Sequence, residues 1–176
     1  MAVAFSSQAT APFLTLRERM TRFAISLLAV LLAAPASAGD CFVAAGQRYH
    51  IHPWLLVAIA DVESSVDPLA VNSTHAERTH SVDIGLMQVN SRWLPTLAGY
   101  GIDASRLLEP CVNVHVGAWI LADLFARYGT TWEAVGAYNA ACTNLRGVDC
   151  QRRRAWYANK VASAFRKVRS RAEKPG

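Results

Sequence analysis

The chain has 176 residues, 52% of them hydrophobic, with 18 Lys or Arg against 13 Asp or Glu and a formal net charge of +5. That is about one domain of chain with ample apolar material for a core, and it contains no internal repeat or low-complexity run, which excludes a repeat array. The charge is unevenly placed: residues 39–150 carry six Arg or Lys against eleven Asp or Glu, whereas 151–176 carry nine against one. A basic end on an acidic body suits either a solvated helix end or a surface for an anionic polymer or lipid.

In chain order, the first feature is the apolar run AISLLAVLLAAPASA, flanked by Arg17, Arg19 and Arg22 and ending in Ala36-Ser37-Ala38. Residues 1–38 are expected to be a secretory signal cut after Ala38, with Met20 as an alternative start. The run is too short to span a membrane comfortably. Cys41 follows closely, but Asp40 stands where a lipid-attachment motif needs a small residue. Export places the mature chain in the periplasm, an oxidising compartment, where nucleic acid is not an expected partner and membrane contact is peripheral at most. Four cysteines remain there, with three pairings open and no CxxC spacing for a metal. Cys142 and Cys150 bracket the short polar stretch TNLRGVD and are expected to close it, leaving Cys41 with Cys111.

Residues 39–168 read as one mainly α-helical domain, followed by a basic tail over 169–176. CFVAAGQRYHI forms a short amphipathic helix. Pro53 suits the first position of the next helix, PWLLVAIADVESSV, which Asp67-Pro68 should stop. Residues 69–84 are a polar loop or flap, and a small hairpin within 69–90 is the only β structure expected. Residues 89–98 read as a short helix interrupted at Pro95. Pro110 opens the longest helix, to about Arg127, with Gly129 as its cap. Val112, Val116, Trp119, Ile120 and Leu124 make its core stripe. Thr131 caps TWEAVGAYNA, and 152–168 is a basic amphipathic helix with Tyr157, Val161 and Phe165 on one side.

One residue breaks the apolar logic. Glu63 falls one helical turn after Ile59 and Ala60 and two after Leu56, on an oily face. A carboxyl in such a place either reaches solvent at the helix end or has its pKa raised toward neutrality. In the second case it can donate a proton at working pH. Two further segments bear on the choice: Gly85-Leu86-Met87-Gln88 and Ala137-Tyr138-Asn139-Ala140. Each joins apolar or aromatic surface to an amide, the chemistry that holds sugar rings and N-acetyl groups. Either alone would ordinarily be core packing.

In this order, Glu63-Ser64, Gly85-Leu86-Met87-Gln88 and Ala137-Tyr138-Asn139-Ala140, with Tyr157 beyond, resemble the soluble lytic transglycosylase domain. The resemblance covers roughly residues 41–168. It is closest to the small transglycosylases associated with type IV secretion, conjugation, pilus and type III secretion systems. It implies a lysozyme-like helical fold whose cleft binds peptidoglycan glycan strands, a monomer needing no cofactor. By the same resemblance Glu63 is the catalytic acid and then base, and the product is a 1,6-anhydromuramyl end. Ser64, Met87, Gln88, Tyr138, Asn139 and Tyr157 are the implied substrate-binding or positioning residues. Where the family continues its tyrosine–asparagine motif with glycine, this chain has Ala141 and Cys142. A machinery component is the implied protein partner. Two alternatives stand beside this reading. Asp83 across the cleft from Glu63 would support water attack and make the protein a hydrolase. A decayed site would make it a wall-binding assembly factor. His50, His52, His75, His80 and His115 show no metal-ligand spacing.

Overall fold

A computed structural model of the protein describes residues 38–142 and 145–173. The segment read as a signal lies, up to residue 37, outside the described residues, as do positions 174–176 of the basic tail. No helix among the described residues is long and apolar enough to cross a membrane.

The domain is mainly α. Helix α1 (Ala38–Tyr49) turns Cys41, Phe42 and Ala45 inward, and α2 (Pro53–Ser64) buries Leu56, Ile59 and Ala60 completely. Pro53 opens α2 as expected, and the His52 ring nitrogen Nδ1 accepts from the Trp54 backbone N–H. The helix stops two residues earlier than Asp67-Pro68 would stop it. Ser65 and Val66 both take positive φ, 56° and 63°, and their N–H groups reach back to the carbonyls of Asp61 and Ala60. The Asp61 carbonyl would otherwise be an orphan of the helix end. The early stop leaves Glu63 in the last turn, beside a chain reversal.

Between α2 and the long central helix lie three two-residue strands instead of one hairpin. These are β1 (Val71–Asn72), β2 (Asp83–Ile84) and β3 (Val89–Asn90), antiparallel in the order β1-β2-β3, with the one-turn helix α3 (Ala76–Thr79) between the first two. Val71 pairs with Ile84, and Ile84 in turn with Val89. The third strand exists because Gly85 and Gln88 take φ of +76° and +46°, folding GLMQ into a tight turn. A Cβ at Gly85 would sit 2.3 Å from the Asn113 amide nitrogen, so only glycine fits there. A 3₁₀ turn at Ser91–Trp93 then leads into α4 (Leu94–Ala98). Pro95 lies in the first turn of α4, where its missing N–H costs nothing, and so starts that helix instead of interrupting it.

Helix α5 (Pro110–Tyr128) is the axis of the fold. The stripe Val112, Val116, Trp119, Ile120 and Leu124 packs on a smaller cluster with Ile84, Val89, Leu97 and Leu107. Its other side, Val114, Ala118 and Leu121, packs on the main cluster with Leu56, Ile59 and Met87. Helix α6 (Trp132–Asn139) is capped by the Thr131 hydroxyl, which accepts from the Ala134 N–H at 3.2 Å. Helix α7 (Gly147–Ala172) extends the basic helix at both ends, taking in residues 169–172 of the expected tail. Tyr157 and Val161 are buried and Phe165 packs at the core's edge. Both expected disulfides are present: Cys41–Cys111 ties α1 to the start of α5, and Cys142–Cys150 closes the α6–α7 link.

Candidate active site

Glu63 projects from the last turn of α2 into a cleft of about 530 Å³, whose lining includes Asp83, Gln88, Tyr138, Asn139 and Arg153. Helix α7 packs across α2, and from it the Tyr157 hydroxyl donates to Glu63 Oε1 at 2.5 Å. Burial in this apolar corner raises the Glu63 pKa from 4.5 to about 7. The Tyr157 hydrogen bond opposes that rise, the nearby Asp83 charge adds to it, and the Lys160 ammonium opposes it again. Burial and the neighbouring glutamate push the Tyr157 phenol upward, so it stays a donor. Near neutral pH, Glu63 therefore samples both protonation states, as a group that first gives and then takes a proton must.

The opposite wall is the small sheet. Asp83 of β2 accepts from His75 Nε2 at 2.7 Å and from the Asn90 amide at 2.6 Å. A carboxylate can only accept, which puts the hydrogen on Nε2 and leaves His75 Nδ1 facing the Thr79 hydroxyl at 2.8 Å. Asp83 thus shares the cleft with Glu63, on a polar, hydrogen-bonded wall.

The turn Gly85–Gln88 joins the two walls, and α5 holds it from behind. Asn113, 1% exposed, accepts from the Met87 N–H at 2.7 Å and donates to the carbonyls of Ile84 and Leu107 at 2.8 Å each. Gly117 makes room for Met87, whose sulfur would lie 2.7 Å from any Cβ there. From the helical side, the Tyr138 hydroxyl donates to the Met87 carbonyl at 2.9 Å, and the Ser64 hydroxyl donates to the Leu86 carbonyl at 2.8 Å.

This arrangement agrees with what the chain resembles in sequence. The transglycosylase SLT domain matches residues 40–159. The chain belongs to this family. It is 41% identical over 140 residues to the invasion protein IagB of Salmonella typhimurium, covering 79% of this chain and 83% of that one. It is 36% identical over 154 residues to a peptidoglycan-binding-like protein of Escherichia coli O157:H7, covering 85% and 89% respectively. It is 39% identical over 122 residues to protein IpgF of Shigella sonnei, covering 69% of this chain and 77% of that one. The SLT domain makes the protein a lytic transglycosylase, with the lysozyme-like helical architecture described above.

Within the SLT domain the residues singled out from sequence divide into two groups. Glu63, Gln88, Tyr138 and Asn139 face the cleft. Of the others, Tyr157 reaches Glu63 from the last helix, as expected of a positioning residue, while Ser64 and Met87 stand behind the cleft wall. Met87 and Tyr157 are 0% and 1% exposed, and the Ser64 hydroxyl is spent on the carbonyls of Leu86 and Ala60. Gln88 also has a framework task, because its amide nitrogen donates to the carbonyls of Ala70 and Gly85. Only its amide oxygen remains for a ligand.

Sequence reasoning missed Asn113, although an amide among the valines of VNVHVGAWIL is the kind of residue that anchors a buried turn. It also missed Arg154, 7% exposed, which donates to the Ala140 carbonyl at 3.2 Å and to Glu133 and the Tyr128 hydroxyl at 3.1 Å each. Arg154 fixes the end of α6 that presents Tyr138 and Asn139. Nothing in a run of three arginines marks which one turns inward. Among the described residues, no group of three or more His, Cys, Asp or Glu is placed to hold a metal ion.

Proposed function

We propose that the protein cleaves the β-1,4 bond between N-acetylmuramic acid and N-acetylglucosamine in peptidoglycan and leaves a 1,6-anhydromuramyl end. The observation that carries this reading is Glu63 itself: a carboxyl with a pKa near 7, held by Tyr157 at the floor of an amide- and aromatic-walled cleft. Protonated Glu63 gives its proton to the glycosidic oxygen as the bond to muramic C1 breaks. The resulting carboxylate then takes the proton of the muramic C6 hydroxyl, whose oxygen attacks C1. No water is consumed and Glu63 ends protonated. Asn139 and the Gln88 amide oxygen bind N-acetyl and hydroxyl groups, while Tyr138 offers a ring face. Tyr157 and Ser64 position the acid.

The reaction is assigned to the periplasm. The apolar run ending at Ala38 supports this, as do two disulfides that need an oxidising compartment. We further assign it to local opening of the wall for a secretion, conjugation or pilus apparatus, a setting that suits a relative named an invasion protein. A second reading is favoured by one observation, that Asp83 shares the cleft with Glu63. With Asp83 assisting water at C1, the same site would be a hydrolase.

Mass spectrometry of muropeptides released by the mature protein and by Glu63→Gln separates these readings. Ends lighter by one water, formed only with Glu63 present, are expected. Reducing ends would replace the transglycosylase by the hydrolase, and no Glu63-dependent product would leave a wall-binding protein.

A further inference from the structure

Helix α7 does more than supply Tyr157. One residue before it, Trp156 stands half exposed, at 50%. It lies between two cations on the same helix face: Arg153, one turn earlier, has its guanidinium carbon 4.8 Å from the ring centroid, and Lys160, one turn later, has Nζ at 4.8 Å. Both cations are exposed, and among the described residues neither forms a salt bridge, although Arg152 beside them pairs with Asp149. The ring holds the two charges in place, so an anion meeting them finds the side chains already ordered. This ridge is continuous with the active site. Arg153 lines the same cleft as Glu63, and the Lys160 charge is felt at the Glu63 carboxyl.

We propose that Arg153, Trp156 and Lys160 form a subsite for the carboxylate-bearing peptide stem of the muramic acid being cleaved, so that the enzyme prefers stem-substituted over bare glycan. The inference rests on the transglycosylase reading. The stem is the anionic part of the substrate and leaves the sugar at the lactyl group, beside the scissile bond. A cationic ridge that begins in the cleft, one residue from the tyrosine that holds the acid, lies within reach of such a branch. Its carboxylates would meet Arg153 and Lys160, and its aliphatic parts the exposed indole face. A membrane-binding surface would need no continuity with the cleft.

The test compares kcat/KM on intact glycan strands and on strands stripped of stems by an amidase, with the lactyl carboxylates that this hydrolysis frees capped as methyl amides. Taking the ratio removes any general change in activity. The wild-type ratio is expected to favour intact strands about tenfold, the scale of one or two charge-assisted hydrogen bonds. Arg153→Gln with Lys160→Gln should bring the ratio to about one, mainly through KM on intact strands, and Arg153→Glu with Lys160→Glu should take it below one. Melting curves confirm folding of these surface variants. Equal losses on both substrates, or an unchanged ratio, would overturn the proposal while leaving the transglycosylase intact. An unchanged ratio with lost sedimentation on phosphatidylglycerol–phosphatidylethanolamine vesicles would assign the ridge to a membrane instead. Absence of any Glu63-dependent product would overturn both readings together.

Discussion

Glu63 and Asp83 face one cleft from two different kinds of wall. The helical wall is apolar and layered, with α7 behind α2 and one phenol reaching the acid. The sheet wall is three strands of two residues each, too short to stand alone, and its carboxylate is bound by an imidazole and an amide. The difference is one of environment, since both side chains carry the same functional group. Removing water from around Glu63 favours its neutral form, a proton donor, whereas Asp83 sits among donors that suit a carboxylate acceptor. Two carboxyl groups in contrasting settings can hold contrasting roles, and α5 sets them opposite each other by anchoring the intervening turn through Asn113.

Breaking the helical side should have the largest effect. Glu63→Gln is expected to lower the rate of muropeptide release by about 10³-fold or more, because it removes both the proton donor and the later base. The same change should stabilise the fold in alkaline solution. A carboxyl with a pKa of about 7 folded and 4.5 unfolded binds more protons when folded, so its contribution worsens as pH rises between those values. Above neutral pH the variant should exceed wild type by about 3 kcal/mol, read from denaturant unfolding. A variant no more stable than wild type there would show that Glu63 is not buried at a cost.

On the sheet side, Asp83→Asn should reduce activity about 10²-fold if its charge supports the cationic transition state. It should also move the alkaline limb of the pH–rate profile to lower pH, since the Asp83 charge helps to raise the Glu63 pKa. A limb that stays in place would mean the two walls are electrostatically independent. Cutting the link between them, Asn113→Ala strands one backbone N–H and two carbonyls in the core. The expected loss is about 2–4 kcal/mol in thermal or denaturant unfolding.

The smallest effect is expected from Tyr157→Phe, about tenfold in rate, through misplacement of the acid. Its pH signature is opposite to that of Asp83→Asn. The phenol stabilises the ionised glutamate, so its loss should move the alkaline limb to higher pH. Limbs displaced in the same direction by both variants would contradict the contrast between the two walls.

Much of the helical wall is legible in the sequence. Pro53, Pro110 and Thr131 mark helix starts, and the periodicity of Leu56, Ile59 and Ala60 places Glu63 on an apolar face. Gly-Leu-Met-Gln and Ala-Tyr-Asn-Ala point to the family. The sheet wall is nearly silent, because strands of two residues carry no periodicity and their pairing depends on positive φ at Gly85 and Gln88. The stripe read on α5 is correct but is only one of its two buried faces, since a helix enclosed on both sides blurs the 3.6-residue signal.

What the sequence determined by itself was local: which segments coil, that Cys142 and Cys150 stand close enough in chain to pair, and which glutamate lies among apolar neighbours. Tertiary structure decided the roles. Met87, Ser64 and Tyr157 lie behind the cleft wall because α5 and α7 pack there. Asp83, a loop carboxylate in sequence, came to share that cleft with the acid. Burial and opposition depend on which elements meet across the fold, and those meetings are made by residues as far apart in the chain as Tyr157 and Glu63.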